Sequence, residues 1–160
     1  MRIISNALTL FIIVAMVIII WMQVKPEQRV SRDLSEKELF ELTRAIYFEA
    51  RGEDDLGQAA VAHVILNRMK SPLYPDTVRG VVWQKGQFSW TQDGKSDRMT
   101  DPRAIQKAVD IALAVTRGKI KDPTGGSMHY FAHKRVKPAW AAAGFRFILG
   151  QHTFVKLAGK

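Results

Sequence analysis

The chain has 160 residues, 47% of them hydrophobic and 24% charged, which suits one small globular domain with an accessory segment and excludes two ordinary domains. It contains no cysteine, so disulfides, thiolate catalysis and cysteine-ligated metal are excluded. The formal charge of +9 fits either a polyanionic partner (nucleic acid, anionic lipid or an acidic wall polymer) or a plain solvated basic surface, and charge alone does not choose.

From Ala7 to Met22 the chain is apolar except for Thr9, and Phe11 to Trp21 holds no polar side chain. Counted from Ile3, the run has about 20 residues, enough to cross a bilayer core as a helix. Trp21 stands where an interfacial aromatic is favoured. A cleaved signal peptide needs small residues after the apolar run, and Met22-Gln23-Val24-Lys25-Pro26 offers none. Residues 1–24 are therefore expected to be an uncleaved transmembrane anchor, and residues 25–34, with Pro26 and several charges, a short linker. Cations flank the span on both sides, so they leave its orientation open.

Residues 35–160 read as the globular domain. Ser35-Glu36-Lys37-Glu38 has the capping-box form, with Ser35 as N-cap and Glu38 at the third helical position. A helix is expected from there to about Ala50, and Leu39, Leu42, Ile46 and Glu49 fall on one face of it. A second helix, about Gly57 to Met69, is apolar nearly all round and reads as the central core helix. Ser71-Pro72 and Tyr74-Pro75 end it, and Asp76 is expected to cap a short helix from Thr77 to Val82. Gln84 to Thr100 reads as a long loop carrying Phe88 and Trp90. Asp101 as N-cap and Pro102 open another helix, with Ile105, Val109, Ala112 and Leu113 as its apolar face and Gly118 at its end. Met128 to Ala132 reads as a strand, and Phe145 to Lys156 as a hairpin turning at Gly150-Gln151. The fold class is thus α+β, mainly helical, with a small antiparallel sheet.

Several residues can carry chemistry. Glu49 ends an apolar stripe, where desolvation raises a carboxyl pKa toward the range useful to a general acid. Its structural alternative is a partner for Arg44, Arg51 or a backbone donor. Glu53, four residues on, is either a second carboxylate of a glycosidase pair or a loop or cap residue binding backbone amides, and the run Glu53-Asp54-Asp55 can cap the second helix. Gln87, Phe88, Ser89 and Trp90 offer an amide, a hydroxyl and aromatic rings to a sugar, or simply anchor the core. His129 and His133 are four apart, but no His-Glu-x-x-His motif exists, so no metal is expected. There is no P-loop, Gly-x-Gly-x-x-Gly or Gly-x-Ser-x-Gly motif, and no cofactor is expected. Lys134, Arg135 and Lys137 form a basic run better read as a solvated loop than as a nucleic-acid site.

The segments Ala45-Ile46-Tyr47-Phe48-Glu49-Ala50-Arg51-Gly52-Glu53, Gly57 to Arg68, Pro75 to Val82, Gln87-Phe88-Ser89-Trp90, Gly126 to Phe131 and Gly150 to Phe154 occur in order over residues 38–156. Together they resemble the SleB-type cell wall hydrolase family, the catalytic domain of spore-cortex-lytic enzymes and related bacterial and phage proteins. The resemblance implies a lysozyme-like, lytic-transglycosylase-related fold. It implies peptidoglycan as substrate, cleaved between N-acetylmuramic acid and N-acetylglucosamine, with Glu49 as the catalytic acid/base. It places Gln87, Phe88, Ser89, His129 and Tyr130 at cleft positions and Glu53 in support. It also sets the expected location: a single-pass membrane protein with its catalytic domain on the wall side. Spore-lytic members often carry a separate peptidoglycan-binding domain; none is expected in this sequence, so a spore role is not expected to carry over. A catalytically silent wall-binding protein of the same fold remains the alternative.

Overall fold

A computed structural model of the protein describes residues 34–157. The expected anchor, residues 1–24, and all of the expected linker but Leu34 lie outside the described residues. No helix among the described residues is long and apolar enough to cross a membrane.

The first helix, α1 (Glu36–Ala50), starts where Ser35 Oγ accepts a hydrogen bond from the Glu38 amide at 3.3 Å. Only this half of the capping box forms. The Glu38 carboxylate turns away and accepts from the Val78 amide, tying α1 to the short helix α3 (Val78–Val82). The central helix α2 (Asp55–Lys70) is capped by Asp54, whose Oδ1 accepts from the Gly57 amide at 2.8 Å. Its buried residues run right round the helix, as the sequence pattern predicts. For α3 the expected cap shifts by one residue: Thr77, not Asp76, receives the Gly80 amide.

The long loop contains one 3-10 turn, Ser89–Thr91, and leads into α4 (Pro102–Thr116). Asp101 caps α4 through the Arg103 and Ala104 amides, and Gly118 follows in a left-handed conformation with φ +69. The buried face of α4 is Ala108, Ile111, Ala112, Val115 and Thr116. Val109 and Leu113, expected on that face, are only half-buried. Small Ala108 and Ala112 stand on the buried side, where α4 packs against α1 and α2.

The sheet has the order β1–β3–β2, with β1 at His129–Ala132, β2 at Gly144–Leu149 and β3 at His152–Leu157, all antiparallel. Met128, expected in the first strand, lies just before it. On one sheet face, Tyr130, Phe147 and Phe154 point toward the helices, where Phe154 packs with Ala50, Ala60, Val61 and Val64. Burying Phe154 contributes roughly 2 kcal/mol. A larger core joins the four helices to Phe88 and Trp90. Phe145 shares the parity of Phe147 but lies beyond the helices and is exposed.

The turn between β2 and β3 depends on Gly150. Its φ is +56, and a Cβ there would stand 1.8 Å from Glu53 Oε2. Gly150→Ala is expected to combine left-handed strain with displacement of the Glu53 carboxylate, lowering stability by at least about 2 kcal/mol in urea unfolding.

Candidate active site

Glu49 lies in the last turn of α1, half-buried, at the wall of a cleft of about 430 Å³. The cleft is lined by Glu49, Arg68, Gly86, Gln87, Phe88, Ser89, Gln92 and Tyr130. Five of these come from the long loop, where Gly86 turns the chain with φ +78. Glu49 supplies the only carboxylate among the lining residues.

The partner of Glu49 is neither Arg44 nor Arg51. Arg44 sits near Glu41 and Asp97, at 3.6 Å from each, while Arg51 lies over the Tyr47 ring. Instead, the Tyr130 hydroxyl donates to Glu49 Oε2 at 2.8 Å. Burial raises the Glu49 pKa above its usual 4.5, and the Tyr130 hydrogen bond and the Arg68 charge oppose that rise. Burial, with the adjacent Glu49 charge, pushes the Tyr130 hydroxyl well above its ordinary value, so it stays protonated and remains a donor.

Tyr130 is held in place from two sides. At the carboxyl end of α2, Asn67 Nδ2 donates to the Ser127 carbonyl at 3.1 Å and Arg68 Nε donates to the Met128 carbonyl at 2.8 Å. Both carbonyls belong to the segment entering β1. Asp122 braces the same segment by accepting from Asn67 and from the Thr124 and Gly126 amides. On the other side, the His152 ring packs edge-on against Tyr130 at 5.3 Å, and His152 Nδ1 lies 3.4 Å from Glu53 Oε1.

Glu53 does not line the cleft. Its carboxylate accepts from the Gln151 amide at 3.2 and 3.3 Å, and its carbonyl receives Lys107 Nζ and Gln58 Nε2. Gln87 and Ser89 line the cleft. Phe88 serves both readings: it is buried in the core, and its ring meets the Arg68 guanidinium at 5.6 Å at the cleft floor. Trp90 stacks on Phe48 at 4.7 Å in the core and does not line the cleft. His129 is not brought to Glu49. It precedes Tyr130 on a strand, so its side chain takes the opposite sheet face, 5.5 Å from the Trp140 ring.

Arg68 is the site residue that local patterning missed. It is 4% exposed, and the rings of Tyr74 and Phe88 lie at 5.3 and 5.6 Å from its guanidinium carbon. An arginine in the last turn of a helix ordinarily reads as a solvated complement to the helix dipole. Its place within an otherwise apolar core helix was the available signal. Of the other histidines, His63 donates from Nε2 to the Ile120 carbonyl at 3.0 Å and is structural. Among the described residues no group of three His, Cys, Asp or Glu is arranged to hold a metal.

Residues 52–155 match the cell wall hydrolase family, so Glu49 stands three residues ahead of the matched segment. The chain is 39% identical over 106 residues to a spore cortex-lytic enzyme of Halalkalibacterium halodurans, covering 66% of this chain and 30% of that protein. It is 35% identical over 132 residues to a spore cortex-lytic enzyme of Oceanobacillus iheyensis, covering 82% of this chain and 46% of the relative. The chain thus spans less than half the length of these two relatives. Among solved structures it resembles the catalytic domain of the germination-specific lytic transglycosylase SleB from Bacillus anthracis, with TM-score 0.62 and 32% identity over 77% of this chain and 97% of that one. The catalytic domain of the Bacillus cereus SleB protein gives TM-score 0.63 and 32% identity, covering 78% and 93% of the two chains.

Two outcomes follow from the Glu49 environment. Tyr130→Phe removes a hydrogen bond that favours the ionised carboxylate, so the Glu49 pKa should rise further, as read by carbon NMR titration. Because folding favours the protonated form of Glu49, its contribution to stability is fully present below pH 4.5, its ordinary value, and is lost as pH rises through the raised one. Glu49→Gln should remove that loss and melt at or above the parent temperature near neutral pH.

Proposed function

This chain belongs to the cell wall hydrolase family, and on that premise we propose that it cleaves peptidoglycan glycan strands between N-acetylmuramic acid and N-acetylglucosamine, with Glu49 as a single acid/base. The observation that carries this reading is the half-buried, Tyr130-bonded carboxyl of Glu49 in a cleft with no second carboxylate among its lining residues. The solved relatives described as SleB catalytic domains, one of them a lytic transglycosylase, support the reaction class.

Tyr130 occupies Oε2 of Glu49, which leaves Oε1 to carry the proton. Protonated Glu49 donates to the glycosidic oxygen, and the leaving sugar departs from an oxocarbenium-like centre at C1 of the muramic acid. The ionised carboxylate is then stabilised by the Tyr130 hydroxyl and the Arg68 charge. It takes the proton of the muramic acid C6 hydroxyl, whose oxygen closes on C1. The product is a 1,6-anhydro end, and Glu49 is protonated again.

Hydrolysis assisted by a second base would need a carboxylate free to place a water. The candidates are committed elsewhere: Glu53 to the β2–β3 turn, Asp97 to Arg44 and Asp93 to the Lys95 amide. This favours the intramolecular route. Gln87, Ser89 and Gln92 supply amides and a hydroxyl for sugar hydroxyls and acetamido groups, with Phe88 behind them. The apolar run from Ile3 to Met22 supports a further part of the reading, a chain anchored in the membrane with its catalytic domain on the wall side.

The test is digestion of purified sacculi followed by mass spectrometry of the released muropeptides. The parent should release fragments with anhydro ends, and Glu49→Gln should lose at least about 100-fold of the activity. Reducing ends would replace transglycosylation by hydrolysis. No release by the parent would leave a silent wall-binding protein.

A further inference from the structure

The sheet face turned away from the helices is unlike the rest of the surface. Strand pairing places His129 and Phe131 of β1, Thr153 and Val155 of β3, and Arg146 and Ile148 of β2 on that face. A 3-10 turn, Ala139–Ala143, covers only its middle. Ala141 is buried beneath the turn, and Trp140 meets the Phe131 ring edge-on at 5.9 Å. Beside the turn a groove of about 520 Å³ stays open, with Phe131, Lys137, Arg146 and Ile148 among its walls.

The apolar groups here are well exposed: Ile148 by 71%, Val136 by 52% and Trp140 by 43%. They are three of the seven exposed large hydrophobic residues among the described residues, all between 136 and 148, while Phe145 is exposed on the other sheet face. Scattered singly, such residues need no explanation; gathered beside one groove, they do. The charge around them has one sign. From Pro123 to Lys160 the sequence has no Asp or Glu, while Lys134, Arg135, Lys137 and Arg146 are all exposed. None of these four forms an ion pair among the described residues.

We infer that this face docks on an anionic lipid bilayer, with Ile148, Val136 and Trp140 entering the headgroup boundary and the cations reaching lipid phosphates. The combination decides the occupant. Aliphatic Ile148 and Val136 have no flat face to stack on a sugar, and a soluble polyanion offers nothing to bury them. A bilayer surface answers both the apolar groups and the cations. Docking through this face leaves the Glu49 cleft free, because Tyr130 points to the opposite side of the sheet. The inference is independent of the cleavage reading.

The absence of cysteine allows a single label. Full-length protein carrying Ile148→Cys with an environment-sensitive fluorophore is titrated with phosphatidylcholine vesicles, either pure or containing about a third phosphatidylglycerol. The expected result is a blue shift on the anionic vesicles only. Lys137→Glu together with Arg146→Glu should raise the vesicle concentration needed by more than about twentyfold, at about fivefold per cation lost. A control label at exposed Gln106→Cys on α4 should not respond. No shift on anionic vesicles, or an equal shift on both compositions, overturns the inference. So does a shift produced by soluble poly(glycerol phosphate) and not by vesicles, which would make the face a reader of wall polymer. The readout is local to position 148, so it discriminates however residues 1–33 meet the membrane.

Discussion

The site depends on one buried cation. Arg68 is almost fully enclosed, and a guanidinium taken out of water costs several kcal/mol unless its donors and charge are met. Here Nε is met by the Met128 carbonyl and the planar group lies near two aromatic rings, while Nη1 is buried without a hydrogen-bond partner among the described residues. These contacts fix where the chain enters β1. With Asn67 on the neighbouring carbonyl, the end of α2 grips two successive residues of the incoming strand. The strand that follows can then present Tyr130 to Glu49 with little freedom. The charge that orders the strand also lies near enough to bias the carboxyl it serves.

A second attachment comes from the α1–α2 junction. Glu53 receives the Gln151 amide at the β2–β3 turn, and Gly150 leaves room for its carboxylate to reach that turn. The sheet is thus tied to the helices at the entrance of β1 and at the turn before β3. Between the two ties stand Tyr130 and His152, packed ring against ring. Removing Glu53 would not take a reacting group from the cleft, but it would loosen one of the two points that define the height of Tyr130 above Glu49. A separate cluster at the other end of α1, where buried Glu41 accepts from Arg79 and Trp83, holds α3.

Features encoded within a few residues were legible in the sequence. Ser35, Asp54 and Asp101 cap helices because a short polar side chain at the right step meets orphan amides whatever lies beyond. The β2–β3 hairpin follows from alternation broken by Gly150-Gln151. What the sequence left open was decided at a distance. Glu38 abandons the capping box because an unpaired amide of α3 is within reach. The buried side of α4 was set by close packing that a list of apolar residues does not contain. His129 and Tyr130 looked equally eligible for the cleft, and only strand parity separates them. Glu49 was legible as a carboxyl at the end of an apolar stripe, but its partner lies 81 residues away, and no periodicity points there.

The position of Glu49 in the last turn of α1 adds a force of its own. The carboxyl end of a helix carries partial negative charge, and this one has no basic residue in its final turn. A carboxylate there is disfavoured by the dipole as well as by burial, and both act to keep it protonated. Tyr130 and Arg68 oppose them. An acid that gives up its proton and takes one back within a single turnover needs this balance. On the proposed single-acid reading, burial and the dipole hold the proton for donation, and the hydroxyl and the guanidinium stabilise the ionised form that follows. On this reasoning the second carboxylate that glycosidases commonly require is replaced by two groups that never exchange a proton, one neutral donor and one fixed cation, and the clamp that places them is part of the chemistry as much as of the fold.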